Sequence, residues 1–85
     1  MKSKILYTDG HQQVVKPKNK KKFTKTEVKA HISDTTETIR LEEGTIIMVI
    51  DSKGAEKGLK MNVIASKVVG SHIAGDVLLC NKGEF

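Results

Sequence analysis

Residues 37–54 read ETIRLEEGTIIMVIDSKG, and their pattern decides the fold class. ETIRL at 37–41 alternates, with Ile39 and Leu41 on one side and Thr38 and Arg40 on the other, as a strand with one buried face does. Glu43-Gly44 marks a turn. TIIMVI at 45–50 is apolar on both sides, which predicts an interior strand. Asp51-Ser52-Lys53-Gly54 ends it with residues that favour turns through side-chain bonds to their own backbone or through a permissive φ. The stretch therefore predicts a central hairpin.

Toward the N-terminus, KILYT at 4–8 suits an edge or terminal strand, and Asp9-Gly10 is a strong hairpin signal. HQQVV at 11–15 returns as a second strand, and Pro17 ends it. KPKNKKK at 16–22 is too polar to bury. A helix over about 25–32 follows. Thr24 and Glu27 stand at the N-cap and N3 positions of a capping box, and Phe23 with Val28 makes a hydrophobic staple. Val28 and Ile32 lie one turn apart on the side to be buried, whereas Lys25 and Lys29 share another. So short a helix is unstable alone and must pack on the sheet.

Toward the C-terminus, SDTT at 33–36 and AEKGLKM at 55–61 are connections. Asn62 can cap a second helix over roughly 63–69, with Ile64, Ala65, Val68 and Val69 as its apolar stripe and Gly70 as its stop. IAGDVLLC at 73–80 predicts the last strand, and Gly75-Asp76 within it marks a bend, a bulge or a short connection. The order is β-β-α-β-β-α-β. The fold class is α+β: a mixed or antiparallel sheet with two short helices on one face.

Composition bounds what such a chain does. Its 85 residues and 9.4 kDa suffice for one small domain, 1–85, with little room for an elaborate catalytic cleft. A domain of this size buries roughly 60% of the surface of its extended chain, so its core is thin and self-association would extend it. Cys80 is the lone cysteine, and no internal disulfide is available. No apolar run approaches the roughly 18 residues of a membrane span. Met1-Lys2-Ser3-Lys4 leads into a first strand rather than a signal peptide. A cytoplasmic location without a membrane partner is the expectation.

The formal charge of +5 is unevenly spread. Residues 1–31 hold nine lysines against Asp9 and Glu27, 9 − 2 = +7; residues 32–85 hold Arg40 and five lysines against eight acids, 6 − 8 = −2. Lys16, Lys18, Lys20, Lys21 and Lys22 precede the first helix, and Lys25 and Lys29 extend the positive field along it. Each can neutralise a phosphate, and the nearby helix N-terminus adds a favourable dipole. Such contacts position a nucleic acid without reading its bases. Arg40 is distant in sequence, and with Phe23 claimed by the staple, Tyr7 is left as the stacking aromatic. The bland alternative is a solvated lysine face.

Three pieces of sequence resemble a family of small uncharacterised proteins of bacterial genomes, plasmids and phages. They are PKNKKKFTKTEVK at 17–29, GLKMNVIAS at 58–66 and the Gly-Asp-Val-Leu-x-Cys strand GDVLLC at 75–80. Lys60 departs from the proline often found there, and HISDTT at 31–36 lacks the paired glycines often seen after the first helix. The resemblance implies a phage or mobile-element association and brings no catalytic residues to carry over.

No chemistry-bearing constellation competes with the lysines. His11, His31, His72 and Cys80 are widely spaced and show none of the close pairs of zinc modules. Cys80, at the end of an apolar strand, reads as a buried structural thiol, and Asp76 as an acceptor for backbone groups where the strand begins or bends. The glycines form neither GxxxxGK[ST] nor GxGxxG. No cofactor or metal is expected. The leading expectation is a non-catalytic accessory protein that binds a macromolecular partner, foremost another protein or a second copy. The alternative is a nucleic-acid-binding protein using 16–29 on DNA or RNA; a small enzyme is the least supported.

Overall fold

Apolar runs too long to be buried on one face shape the sheet. The computed structural model describes residues 2–85; Met1 lies outside them. The strands are β1 (Lys4–Leu6), β2 (Gln12–Val14), β3 (Thr36–Leu41), β4 (Ile46–Asp51) and β5 (Val77–Asn81). The helices are α1 (Lys25–His31) and α2 (Val63–Val69). The strands form one sheet in the order β2-β1-β5-β4-β3, with every pairing antiparallel. The α+β class and the element order agree with the sequence reading.

Three expectations need correction. The β3–β4 hairpin is not central. β5 inserts between β1 and β4, and β3 is an edge. VLLC at 77–80 is apolar on both sides, as TIIMVI is, and all four residues are buried. Two such strands side by side hide more apolar surface than either could beside a polar neighbour.

The helices lie on opposite faces, not on one. Ile5, Ile47, Val49, Leu78 and Cys80 pack with Phe23 and Val28, and with half-buried Ile32, beneath α1. Leu6, Met48, Ile50, Val77 and Leu79 pack with Ala65 and Ile73, and with half-buried Ile64 and Val69, beneath α2. Strand residues alternate between the two clusters with the period of two that a pleat imposes. Covering one face alone would leave half of β4 and β5 in water.

The last strand is shorter than 73–80. Ala74 makes an isolated antiparallel bridge to Met61, and the chain then bends at Gly75 before β5 begins at Val77. Gly75 has φ +91, a left-handed conformation that favours glycine; a Cβ there would also meet Cδ1 of the exposed Leu59 at 2.8 Å, which a turn of that side chain relieves.

Local grammar is otherwise obeyed. The hydroxyl of Thr24 accepts from the amide of Glu27 (3.2 Å), and the Glu27 carboxylate accepts from the amide of Thr24 (3.0 Å), completing the capping box. Phe23 and Val28 are buried in one cluster. Asn62 caps α2 by accepting from the amide of Ala65 (3.1 Å), and Gly70 ends it in the left-handed region.

Candidate nucleic-acid interface

All seven lysines of the basic segment are exposed, yet they do not form one patch. Pro17 is buried and pins the middle of the segment. The carboxylate of Glu27 reaches back from α1 and accepts from the amide of Lys18 (2.9 Å). Asn19 accepts from the amides of Lys21 (2.8 Å) and Lys22 (2.9 Å). The lysines divide among hollows: Lys16 and Lys20 line one, Lys25 and Lys29 a second, and Lys22 a third.

Lys16 and Lys20 open onto a cleft of about 480 Å³ with Lys2, Val14, Pro17 and Glu84. Its acid is already engaged: Ser3 donates to Glu84 (2.5 Å), and Asn81 donates to the same oxygen (3.1 Å). The Ser3 hydroxyl first, then the Asn81 amide, hold the Glu84 carboxyl below its usual range.

Lys25 and Lys29 line a different hollow, about 460 Å³, between α1 and the start of β3. Phe23, Val28 and Phe85 are its apolar lining, and Ser33, Asp34 and Thr36 its remaining polar lining. Phe85 is also a wall of an adjoining hollow of about 240 Å³, lined by Lys22, Thr38, Arg40, Ile47 and Lys82. The two hollows share Phe85 as a wall and together make up the groove beside β3 on its α1 side. Thr36, Thr38 and Arg40 are exposed along it, because alternation puts Ile39 and Leu41 on the opposite face. Lys22, Lys25, Lys29, Arg40 and Lys82 thus surround a shared aromatic, with Asp34 the one acid among the lining residues.

Sequence reasoning missed Arg40, Lys82 and Phe85 here. Arg40 was legible only as the outward residue of an alternating strand. That it faces Lys22 depends on which side of the sheet α1 covers. Lys82 and Phe85 arrive through the turn after β5, where the amide of Phe23 donates to the carbonyl of Glu84 (2.7 Å). Tyr7, the expected stacking residue, instead donates its hydroxyl to Gln13 (2.8 Å) and lies 5.4 Å from the His11 ring, centroid to centroid.

The helix N-terminus offers no anion site. The capping box meets the amides of Thr24 and Glu27, and the Glu27 carboxylate already lies against this end of the helix. The amides of Thr24 and Lys18 hold that carboxyl below its usual range, against the opposing effect of burial.

The remaining candidates stand apart. His11 lies in the β1–β2 turn, His31 ends α1, and His72 follows α2; all are exposed. Among the described residues no three His, Cys, Asp or Glu side chains gather as a metal site. Cys80 is fully buried, and burial, with a smaller contribution from Glu84, pushes its thiol up to about 12. Asp76 accepts from the amide of Thr8 (3.0 Å), which ties the end of the first hairpin to the approach to β5. No helix among the described residues is long and apolar enough to cross a membrane. Comparison of the chain with models of protein families, with curated proteins and with solved structures finds no match.

Proposed function

We propose that this chain is a non-catalytic accessory protein that binds nucleic acid through phosphate contacts. The observation that carries this reading is the groove between α1 and β3. It joins Lys22, Lys25 and Lys29 to Arg40 and Lys82, cations the sequence leaves far apart. Five exposed cations against one acid favour a polyanion, and phosphate neutralisation with counterion release supplies the affinity. The resemblance to phage and mobile-element proteins fits such a role.

The test is binding of DNA and RNA as a function of salt. The log of affinity falls with the log of salt by about 0.9 for each duplex phosphate contacted, or about 0.7 for a single strand. Replacing Lys22, Lys25 and Lys29 together by Gln lowers that slope by about 2–3. Absence of binding to both polymers at low ionic strength ends the proposal.

A second reading rests on a different observation. Leu59, Met61, Val63 and Val68 are exposed in α2 and the segment before it. Four exposed large apolar side chains within one stretch of chain favour a protein partner. On this reading, Val63→Lys with Val68→Lys abolishes capture of a protein from nuclease-treated lysate; unchanged capture counts against it.

A further inference from the structure

We propose that the groove between α1 and β3 takes a single nucleic-acid strand rather than a duplex, with Phe85 as the surface on which a base stacks. This rests on the nucleic-acid reading above and names its substrate class. A purely electrostatic surface needs no aromatic. Here the aromatic is the element common to both hollows, with Lys25 and Lys29 on one side and Lys22, Arg40 and Lys82 on the other. Phe85 is 39% exposed and lines both hollows, so the residue is accessible to a ligand there. Its backbone is held all the same. The Phe85 amide donates to the carbonyl of Lys82 (3.2 Å), and the neighbouring Glu84 carbonyl accepts from Phe23 at the entrance to α1 (2.7 Å). An anchored, exposed aromatic flanked by cations is what single-strand binding requires: stacking for bases and positive charge for the backbone.

The shape of the groove agrees. Its floor is the side of an edge strand, where Thr36 and Thr38 present hydroxyls and Arg40 a guanidinium. Hydroxyls and a planar guanidinium can bond phosphate or sugar oxygens. The bases of a duplex are stacked on one another and present no face to Phe85, whereas an unpaired base does. Asp34 lines only the hollow of Lys25 and Lys29, so phosphates are favoured beside Lys22, Arg40 and Lys82 and the base beside Phe85.

The experiment titrates the full chain at low salt with labelled oligo-dT and oligo-U of about ten nucleotides, and with a duplex of equal length. Phe85→Ala is expected to weaken both single strands about ten-fold, to leave duplex affinity and the salt slope unchanged, and to be rescued by Phe85→Tyr. Circular dichroism confirms the fold of each variant. Arg40→Gln, on an exposed strand position, provides an independent variant that weakens single strands and lowers the salt slope by about 0.7. Comparing oligo-dT with oligo-U separates DNA from RNA. Tighter binding of the duplex, or equal loss on single strand and duplex for Phe85→Ala, overturns the inference while the nucleic-acid reading stands. No binding of any polymer overturns both.

Discussion

Asn62 is fully buried, and each part of its amide has a partner. Its Nδ2 donates to the carbonyls of Leu6 (2.9 Å) and Gly75 (3.0 Å), and its Oδ1 accepts from Ala65 (3.1 Å). One side chain therefore caps α2 and ties the end of β1 to the bend before β5. Asn62→Ala leaves two buried carbonyls and one amide without it, and a loss of about 2–4 kcal/mol in urea denaturation is expected. Asn62→Asp preserves the cap acceptor but directs carboxylate oxygen at two carbonyls. It should destabilise at least as much at neutral pH, although aspartate is a good N-cap in general. A mild effect would show that the cap, not the two carbonyl bonds, is what matters.

Asp51 is a residue whose titration the fold feels at acid pH. Burial alone would push its carboxyl up. The Lys57 ammonium (2.7 Å), the amide of Lys53 (2.9 Å) and the hydroxyl of Thr35 (2.8 Å) outweigh that and bring it down to about 2. A carboxyl depressed below its unfolded value of about 3.9 stabilises the fold above that pH. The contribution is lost as pH falls from about 4 through about 2. Lys57 is 39% exposed, so solvent screens the pair, and about 1–2 kcal/mol is the expected size. Wild type should lose that much more stability than Asp51→Asn between about pH 5 and about pH 2. Parallel curves would refute the assignment.

At the scale of elements, α1 shows how a seven-residue helix persists. It is too short to hold by propensity, so its cap and its packing decide. Thr24→Ala removes one capping bond and should cost about 1 kcal/mol. Glu27 does more, because its carboxylate serves both the amide of Thr24 and, nine residues upstream, that of Lys18. Glu27→Ala should speed amide exchange at both Thr24 and Lys18, whereas Thr24→Ala should speed it mainly at Glu27. Protection at Lys18 that survives Glu27→Ala would mean that Pro17, not Glu27, holds the lysine segment. The depressed Glu27 carboxyl adds a sign: its contribution is present above its ordinary pKa and fades as pH falls through the lowered folded value.

At the scale of the molecule, the division of the lysines between two clefts is testable apart from their total charge. Lys16 and Lys20 face the cleft at Glu84, and Lys22, Lys25 and Lys29 face the groove at Phe85. Replacing Lys16 and Lys20 by Gln should change the salt slope by less than one contact, while the triple replacement removes two to three. Equal effects per lysine would mean that net charge, not the groove, attracts the polymer. The two-sided sheet explains why both surfaces exist. With α1 on one face and α2 on the other, the basic groove and the exposed Val63 and Val68 belong to opposite sides of the molecule.

The sequence by itself determined the elements. Thr24 and Glu27 specify a helix start, Asn62 and Gly70 bracket a second helix, Asp9-Gly10 specifies a hairpin, and alternation in 37–41 against the unbroken run of 45–50 separates a strand with one apolar face from one with two. These signals are local, set by backbone geometry and by bonds spanning a few residues. Only the tertiary structure decided that β5 lies at the centre, that the helices cover opposite faces, and that Arg40, Lys82 and Phe85 join the lysines of α1. Those outcomes follow from hiding both apolar sides of β4 and β5 at once, a condition on the whole sheet. The apolar run of 45–50 reads as an interior strand, yet the sequence reading places both helices on one face. Which helix covers which side, and so which charges meet beside it, depends on contacts between residues far apart in the chain.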